Sequence, residues 1–322
     1  MDEYIYGVAR IRALESFLFT DDDINHLLET DDYDSALQFL RDKGWGTGQL
    51  EETLEDIIKI EQDKTKKIIE EIVEDKKDLA ILVVEDRFHN LKAAIKKVCT
   101  DAKVTDDSIY VSGGIDPREL EDIIRKSEYD RLPSDMVETA RTATETLLTS
   151  GDGQLCDVIV DKALLKRIKE IGQNSDNSLI KDYADIKVGM ANIKIALRTA
   201  ASQKDASFAR NAMEPCTYVN VGELIDATSR GEDAVIEYLA TVGLDDIADA
   251  CKKSKSYFEC VLDNKVIDKI KTQKYESFSI GPILAYSIAR DNEIKTVKII
   301  LSGKLNGFDK DFIKERARIM YA

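Results

Sequence analysis

The chain contains two histidines, His26 and His89. They lie 63 residues apart, each on a helical stretch with no acid at metal-ligand spacing, so a structural role fits them better than a metal site. No Cys–His or Ser–His–Asp set stands out, and nucleophilic catalysis has no anchor. The glycines of "GWGTG" (44–48) suggest a phosphate loop, but the third spacing is wrong for G-x-G-x-x-G. No strand precedes them and no GK[ST] follows, so a helix-ending turn with Trp45 tucked in is the better reading. Asp21, Asp22 and Asp23 lack the spacing of a calcium loop and sit where the first turn of a helix favours negative charge. Cys99, Cys156, Cys216, Cys251 and Cys260 form no C-x-x-C pair, and their odd number gives no disulfide framework, which suits a reducing cytoplasm. These residues predict no catalytic group, no cofactor and no metal; the chain is not expected to be an enzyme.

The elements around them must then be read for binding and support. Of the 322 residues, 34% are charged and 43% hydrophobic, and only 4 prolines and 16 glycines argue against a loop-rich chain. A net charge of −16 rules against nucleic acid and acidic membrane surfaces as partners, since neither gains from phosphate neutralisation. The opening "MDEYIYGVARIR" reads as no signal peptide. The longest aliphatic run, "LAILVV" from Leu79 to Val84, falls far short of the ~20 residues that cross a bilayer. The expectation is no direct membrane insertion.

Apolar residues recur at three- and four-residue steps nearly everywhere, and strand-like alternation is almost missing, so the fold class is all-α. Long helices are expected at 50–76, 78–99, 155–171, 178–201, 257–272 and 282–302. Shorter ones are expected at 4–17, 21–30, 35–43, 117–127, 134–149, 221–229, 232–240, 243–253 and 309–320. Thr20 with Asp23, Asp116 with Glu119, and Asn220 with Glu223 each set a capping oxygen three residues before an acid. Pro117 adds a proline at the first helical position. The 282–302 segment is apolar on most of its circumference and should be buried, starting sharply at Gly281-Pro282 and stopping at Gly303.

These features repeat. The caps Thr20, Asp116 and Asn220 are 96 and 104 residues apart. "TKKIIEEI" at Thr65, "DKALLKRI" at Asp161 and "DNKVIDKI" at Asp263 follow at steps of 96 and 102. "NLKAAIK" at Asn90, "NIKIALR" at Asn192 and "EIKTVKI" at Glu293 follow at 102 and 101. "RIRAL" at Arg10 looks like a further copy of the last pattern, and "DKDFIKER" at Asp309 a partial copy of the capped start. Three markers kept in order and spacing give three helical units, at 1–110, 111–210 and 211–322, the last with the C-terminal helix. A unit of about 100 residues exceeds a solenoid repeat and can hold a small bundle of its own. Tyr6 and Arg10 in "YGVAR" pair with Tyr286 and Arg290 in "YSIAR", either as helix packing or as a contact surface repeated around a pseudo-axis.

"YGVARIRALE" (6–15), "DRFHNLKAAIKK" (86–97), "ANIKIALR" (191–198) and above all "FSIGPILAYSIARDNEIKTVKIILSGKLNG" (278–307) resemble the C subunit of the V-type or archaeal-type (V/A) rotary ATPase, whose eukaryotic relative is the d subunit of the V-ATPase. The resemblance spans nearly the whole chain. Glu293 in place of the Asn of the other two copies, and Trp45 where the family often has Tyr before Gly, depart from it. It implies a non-catalytic protein of three similar helical domains, arranged as a funnel about a pseudo-threefold axis. Such a protein seats central stalk subunits of the D and F types on the proteolipid rotor ring. It is cytoplasmic and peripheral to the inner face of the membrane, and passes torque between ATP hydrolysis or synthesis and proton or sodium transport. On that footing Arg10, Arg12, Lys92, Lys194, Arg290 and Lys295 are expected to line or frame the stalk-binding side, unless their stems merely pack and their heads are solvated. The competing readings are a soluble all-helical repeat adaptor unrelated to rotary ATPases and an all-helical hydrolase using paired acids.

Overall fold

The computed structural model describes residues 4–75, 77, 79–100, 105 and 109–322, and no strand occurs among them. In chain order the α-helices are α1 (Ile5–Glu15), α2 (Asp21–Glu29), α3 (Tyr33–Asp42), α4 (Leu54–Ile72), α5 (Ala80–Thr100), α6 (Pro117–Lys126), α7 (Val137–Ser150) and α8 (Gly153–Asn174). They continue as α9 (Ser178–Ala201), α10 (Ala206–Ala212), α11 (Val221–Arg230), α12 (Glu232–Thr241), α13 (Asp245–Lys253), α14 (Lys255–Lys271), α15 (Gly281–Leu305) and α16 (Lys310–Lys314). The fold is all-α, as the periodicity requires.

Capping side chains set many of the starts. The Thr20 hydroxyl accepts from the Asp23 N–H while the Asp23 carboxylate accepts from the Thr20 N–H, a closed capping box at α2. Asp116 accepts from Arg118 and Glu119 ahead of α6, with Pro117 at its first position, and Asn220 accepts from Gly222 and Glu223 ahead of α11. A second capping box, Thr53 with Asp56, starts α4 later than the expected 50. The helix also ends earlier than the expected 76, at Ile72, where Val73 turns to extended backbone; residues 76 and 78 lie outside the described residues.

The chain divides into two compact units, Met1–Leu79 with Leu239–Ala322, and Ala80–Tyr238. The first is discontinuous, and α15 explains why. Its buried residues surround the helix: Pro282, Ile283, Leu284, Ala285, Tyr286, Ile288, Ile294, Val297, Ile300 and Leu301 among them. A helix apolar on most of its circumference must be covered on most of its sides, and Asp291, Lys295 and Lys298 mark the stripe left to solvent. α1, α2, α3, α4, α14 and α16 supply the cover. The core built there joins Phe19, Ile24, Leu27, Leu40, Trp45, Leu54 and Ile57 from the first part of the chain to Ile294, Val297, Ile300, Leu301, Ile313 and Met320 from the last.

Two expectations at this end need correction. Gly303 does not stop the helix, which runs on to Leu305; it is buried because Ile313 packs where a Cβ would stand, 2.6 Å from Cγ1. The 309–320 helix is only Lys310–Lys314. Beyond it the tail is drawn off helical geometry by side chains: Asn264 accepts from the Ile319 N–H, Asn292 donates to the Ile319 carbonyl, and Asp21 accepts from the Met320 N–H.

In the second unit α8 packs on α5, α7 and α9, while α9 also packs on α10 and α11. α10 is a short helix with no counterpart among the expected ones. α8 and α9 approach closely at Gly172, where an added Cβ would stand 2.6 Å from the Ala184 Cβ. Gly172→Ala should therefore destabilise the protein by up to ~2 kcal/mol: overpacking costs ~1–3 kcal/mol, and the gain in helix propensity returns ~1 of it. Urea unfolding of the variant checks this; a gain in stability would mean that the helices part without cost.

Candidate functional site

The third repeat marker has a defined structural task. Asn90 donates through Nδ2 to the carbonyls of Val111 (3.0 Å) and Gly113 (3.1 Å), and its Oδ1 accepts from the Val111 N–H. Asn192 does the same one repeat later: Nδ2 donates to the Glu214 carbonyl (2.7 Å), and Oδ1 accepts from the Glu214 N–H (3.1 Å). Each amide thus clamps backbone just ahead of the next capped helix, α6 or α11. Both asparagines are buried, and one amide satisfies a donor and an acceptor together.

The third copy performs the same task with different chemistry. Glu293 Oε2 accepts from the Phe19 N–H at 2.8 Å, just ahead of the Thr20 cap of α2. Its other oxygen is bound by the Arg290 guanidinium, which also donates to Glu61 on α4 (2.6 Å) and lies over the Trp45 ring, 5.0 Å from its centre. Glu61 accepts in addition from the Gly46 N–H (2.9 Å) and from Lys64 (2.7 Å). The glycine-rich turn, with Gly44 and Gly46 at positive φ, therefore presents an N–H to a carboxylate of the chain itself, and Trp45 is buried as its place in the turn predicts. Burial pushes the Glu293 carboxyl up to about 7; Arg290 and the Phe19 N–H pull the other way.

The six basic residues fall into three groups. Arg290 is wholly inside this cluster, its side chain 8% exposed. Arg12 is half-buried: it pairs with Glu15 at 2.7 Å and donates to the carbonyls of Gln273 and Glu276, tying α1 to the segment before α15. The other four run from half-buried to exposed, with Lys295 more open than Arg10 or Lys92. Arg10 pairs with Glu71 at 2.7 Å, and Lys194 is half-buried on α9. Lys92 pairs with Asp161 at 2.6 Å and Lys295 with Asp263 at 2.5 Å. Arg318 joins Asp263, and although burial opposes it, the two cations hold that carboxyl below the usual range.

The acids that hold these lysines are not among the residues expected from the sequence. Asp161 and Asp263 open the second repeat marker, so their recurrence is the signal that could have found them. Tyr6 and Tyr286, alike in sequence, part company: Tyr286 is buried, while Tyr6 is exposed, as are Phe17, Tyr275 and Phe278. His26 stacks on Phe39 with centroids 5.0 Å apart, and His89 meets the Ile109 carbonyl at 3.0 Å.

The profile of the ATP synthase (C/AC39) subunit family matches residues 7–316. The C subunit of the V-type sodium ATPase of Enterococcus hirae is 22% identical, over 97% of both chains. The C subunit of the A-type ATP synthase of Methanocaldococcus jannaschii is 24% identical over 97% of this chain and 85% of its own.

The clamps and the ion pairs should differ in weight. Asn192→Ala leaves the buried Glu214 N–H and carbonyl without their partner, at a cost of ~2–3 kcal/mol. Lys92→Met removes a partly exposed ion pair and should cost under ~1 kcal/mol. Chemical denaturation of the two variants checks the order; equal effects would show that the clamp is no more than a surface contact.

Proposed function

Because the chain belongs to the ATP synthase (C/AC39) subunit family, we propose that it serves as the non-catalytic socket of a V/A-type rotary ATPase. On this reading it joins central stalk subunits of the D and F types to the proteolipid rotor ring. It passes torque between ATP hydrolysis or synthesis and proton or sodium transport. The observation that carries the proposal is the family match over residues 7–316, with relatives named as the C subunit of V-type and A-type complexes along nearly the full chain.

The physical features suit that task. Torque transmission needs stiff elements, and α15 is packed over most of its circumference while capping side chains hold the starts of α2, α6 and α11. Among the described residues no helix is long and apolar enough to cross a membrane. In this proposal the chain is peripheral, on the cytoplasmic face of a membrane-bound complex. The division into three helical units, 1–110, 111–210 and 211–322, belongs to the same proposal.

Arg10, Arg12, Lys92, Lys194 and Lys295 frame the stalk-binding side in this reading, while Arg290, buried, holds α15 in place. Lys92 and Lys295 carry aspartates that a stalk carboxylate would have to displace. Pairs this open contribute ~0–1 kcal/mol, so the exchange costs little.

Two measurements test the proposal. The chain should co-purify with stalk and rotor-ring proteins, and its absence from such complexes would sink it. Reversing the charge of Lys92, Lys194 and Lys295 together should weaken binding to an isolated D–F stalk at low salt, where exposed charges act most strongly. Unchanged affinity would assign these lysines to the chain's own surface.

A further inference from the structure

The three clamps do one job, and only the third is ionisable. Asn90 and Asn192 hold their segments with neutral amides. At the third position Glu293 ties the last long helix to Phe19, so it closes the seam between the two ends of the chain. There two carboxylates, Glu61 and Glu293, share the single guanidinium of Arg290 inside the protein. Lys64 balances Glu61 from the more open side. From α15, Tyr286 also faces Glu293, and Glu15 on α1 lies beyond that tyrosine. The adjoining core, which Ile294 enters, takes Ile24 and Leu27 from α2 and Leu40 from α3.

We propose that the Glu61–Arg290–Glu293 cluster is a proton-operated latch on this seam: a proton on Glu293 tightens the closure of the chain's ends, and its loss loosens it. The physical reason is a shared counter-ion. With both acids ionised, two buried carboxylates divide one buried guanidinium, and Lys64, its head partly in water, relieves Glu61 and not Glu293, so Glu293 bears the cost of a charge in a dry core. With Glu293 protonated Arg290 is left to Glu61, and Glu293 keeps an oxygen for the Phe19 N–H. The sign follows from linkage. The closed seam holds the Glu293 proton more tightly than the open one, where the carboxyl has its ordinary affinity near 4.5. The tightening is therefore fully present below about 4.5, is lost as the pH rises toward about 7, and is level above that.

Hydrogen–deuterium exchange of the Phe19 amide in the full-length protein tests this, with rates corrected for the intrinsic effect of pH. Protection at Phe19 should fall by ~10-fold or more between pH 5 and pH 8, since each tenfold in proton affinity lost on opening enters the opening equilibrium as a tenfold. The Val111 and Glu214 amides, held by Asn90 and Asn192, should stay level in the same sample. Glu293→Asn should make the Phe19 profile level, and Glu61→Gln, which leaves a simple Arg290–Glu293 pair, should flatten it. A level wild-type profile overturns the latch, as does a slope shared equally by all three amides. A slope surviving in Glu293→Asn also overturns it. If that variant does not fold, Glu61→Gln decides, and an unchanged slope there overturns the proposal.

Discussion

A helix buried over most of its circumference imposes the main constraint on this chain. α15 buries Ile283, Leu284, Ile294, Val297, Ile300 and Leu301, and each such side chain contributes ~1.5–3 kcal/mol only when it is covered. No single neighbour can cover it. The chain answers by returning to its own beginning, so that α1 to α4 wrap the last long helix and the first unit is built from both ends of the sequence. Gly7 records how close the wrap is: a Cβ there would collide with Ile72 and stand 3.1 Å from Ile283.

Such wrapping buries backbone that is not yet helical. The residues just ahead of each capped helix lie under a long helix, and their N–H and C=O groups need partners. An asparagine suits that need because it donates and accepts at one point, which accounts for Asn90 and Asn192. At Phe19 the demand is a single acceptor, and a carboxylate can meet it. The neighbouring Asn292 supplies the donor elsewhere, to the Ile319 carbonyl of the tail. The repeat thus preserves a task rather than a residue, and Glu293 becomes intelligible as a substitution only when its partners are seen.

Several features were legible in the sequence because they are local. The all-α class follows from apolar spacing, and the caps at Thr20, Asp116 and Asn220 form as their spacing requires. Other features depend on groups distant in the sequence. Gly303 has the look of a terminator and is instead a gap filled by Ile313. The 309–320 segment has helical spacing, yet Asn264, Asn292 and Asp21 take its backbone polar groups. Arg290 resembles Arg10 in sequence, but only Arg290 has two acids and a tryptophan ring closing over it. Spacing reports which face a residue occupies, and not whether an acid 229 positions away will reach it.

That distinction bears on how an acidic chain presents basic groups to a partner. A net charge of −16 means that a lysine on this surface has acids near it, and Lys92 and Lys295 are both paired. Pairing does not remove them from binding. A half-exposed Lys–Asp contact is worth so little that a carboxylate arriving from outside can take the lysine while water takes the aspartate. The buried contact behaves in the opposite way. Removing Arg290 from Glu61 and Glu293 would strand two anions in the core, at ~3–5 kcal/mol for a broken buried pair. The two kinds of cation stand on one helix: α15 turns Lys295 outward, where it is exchangeable, and Arg290 inward, where it is fixed, so burial decides which basic residues remain available to a partner.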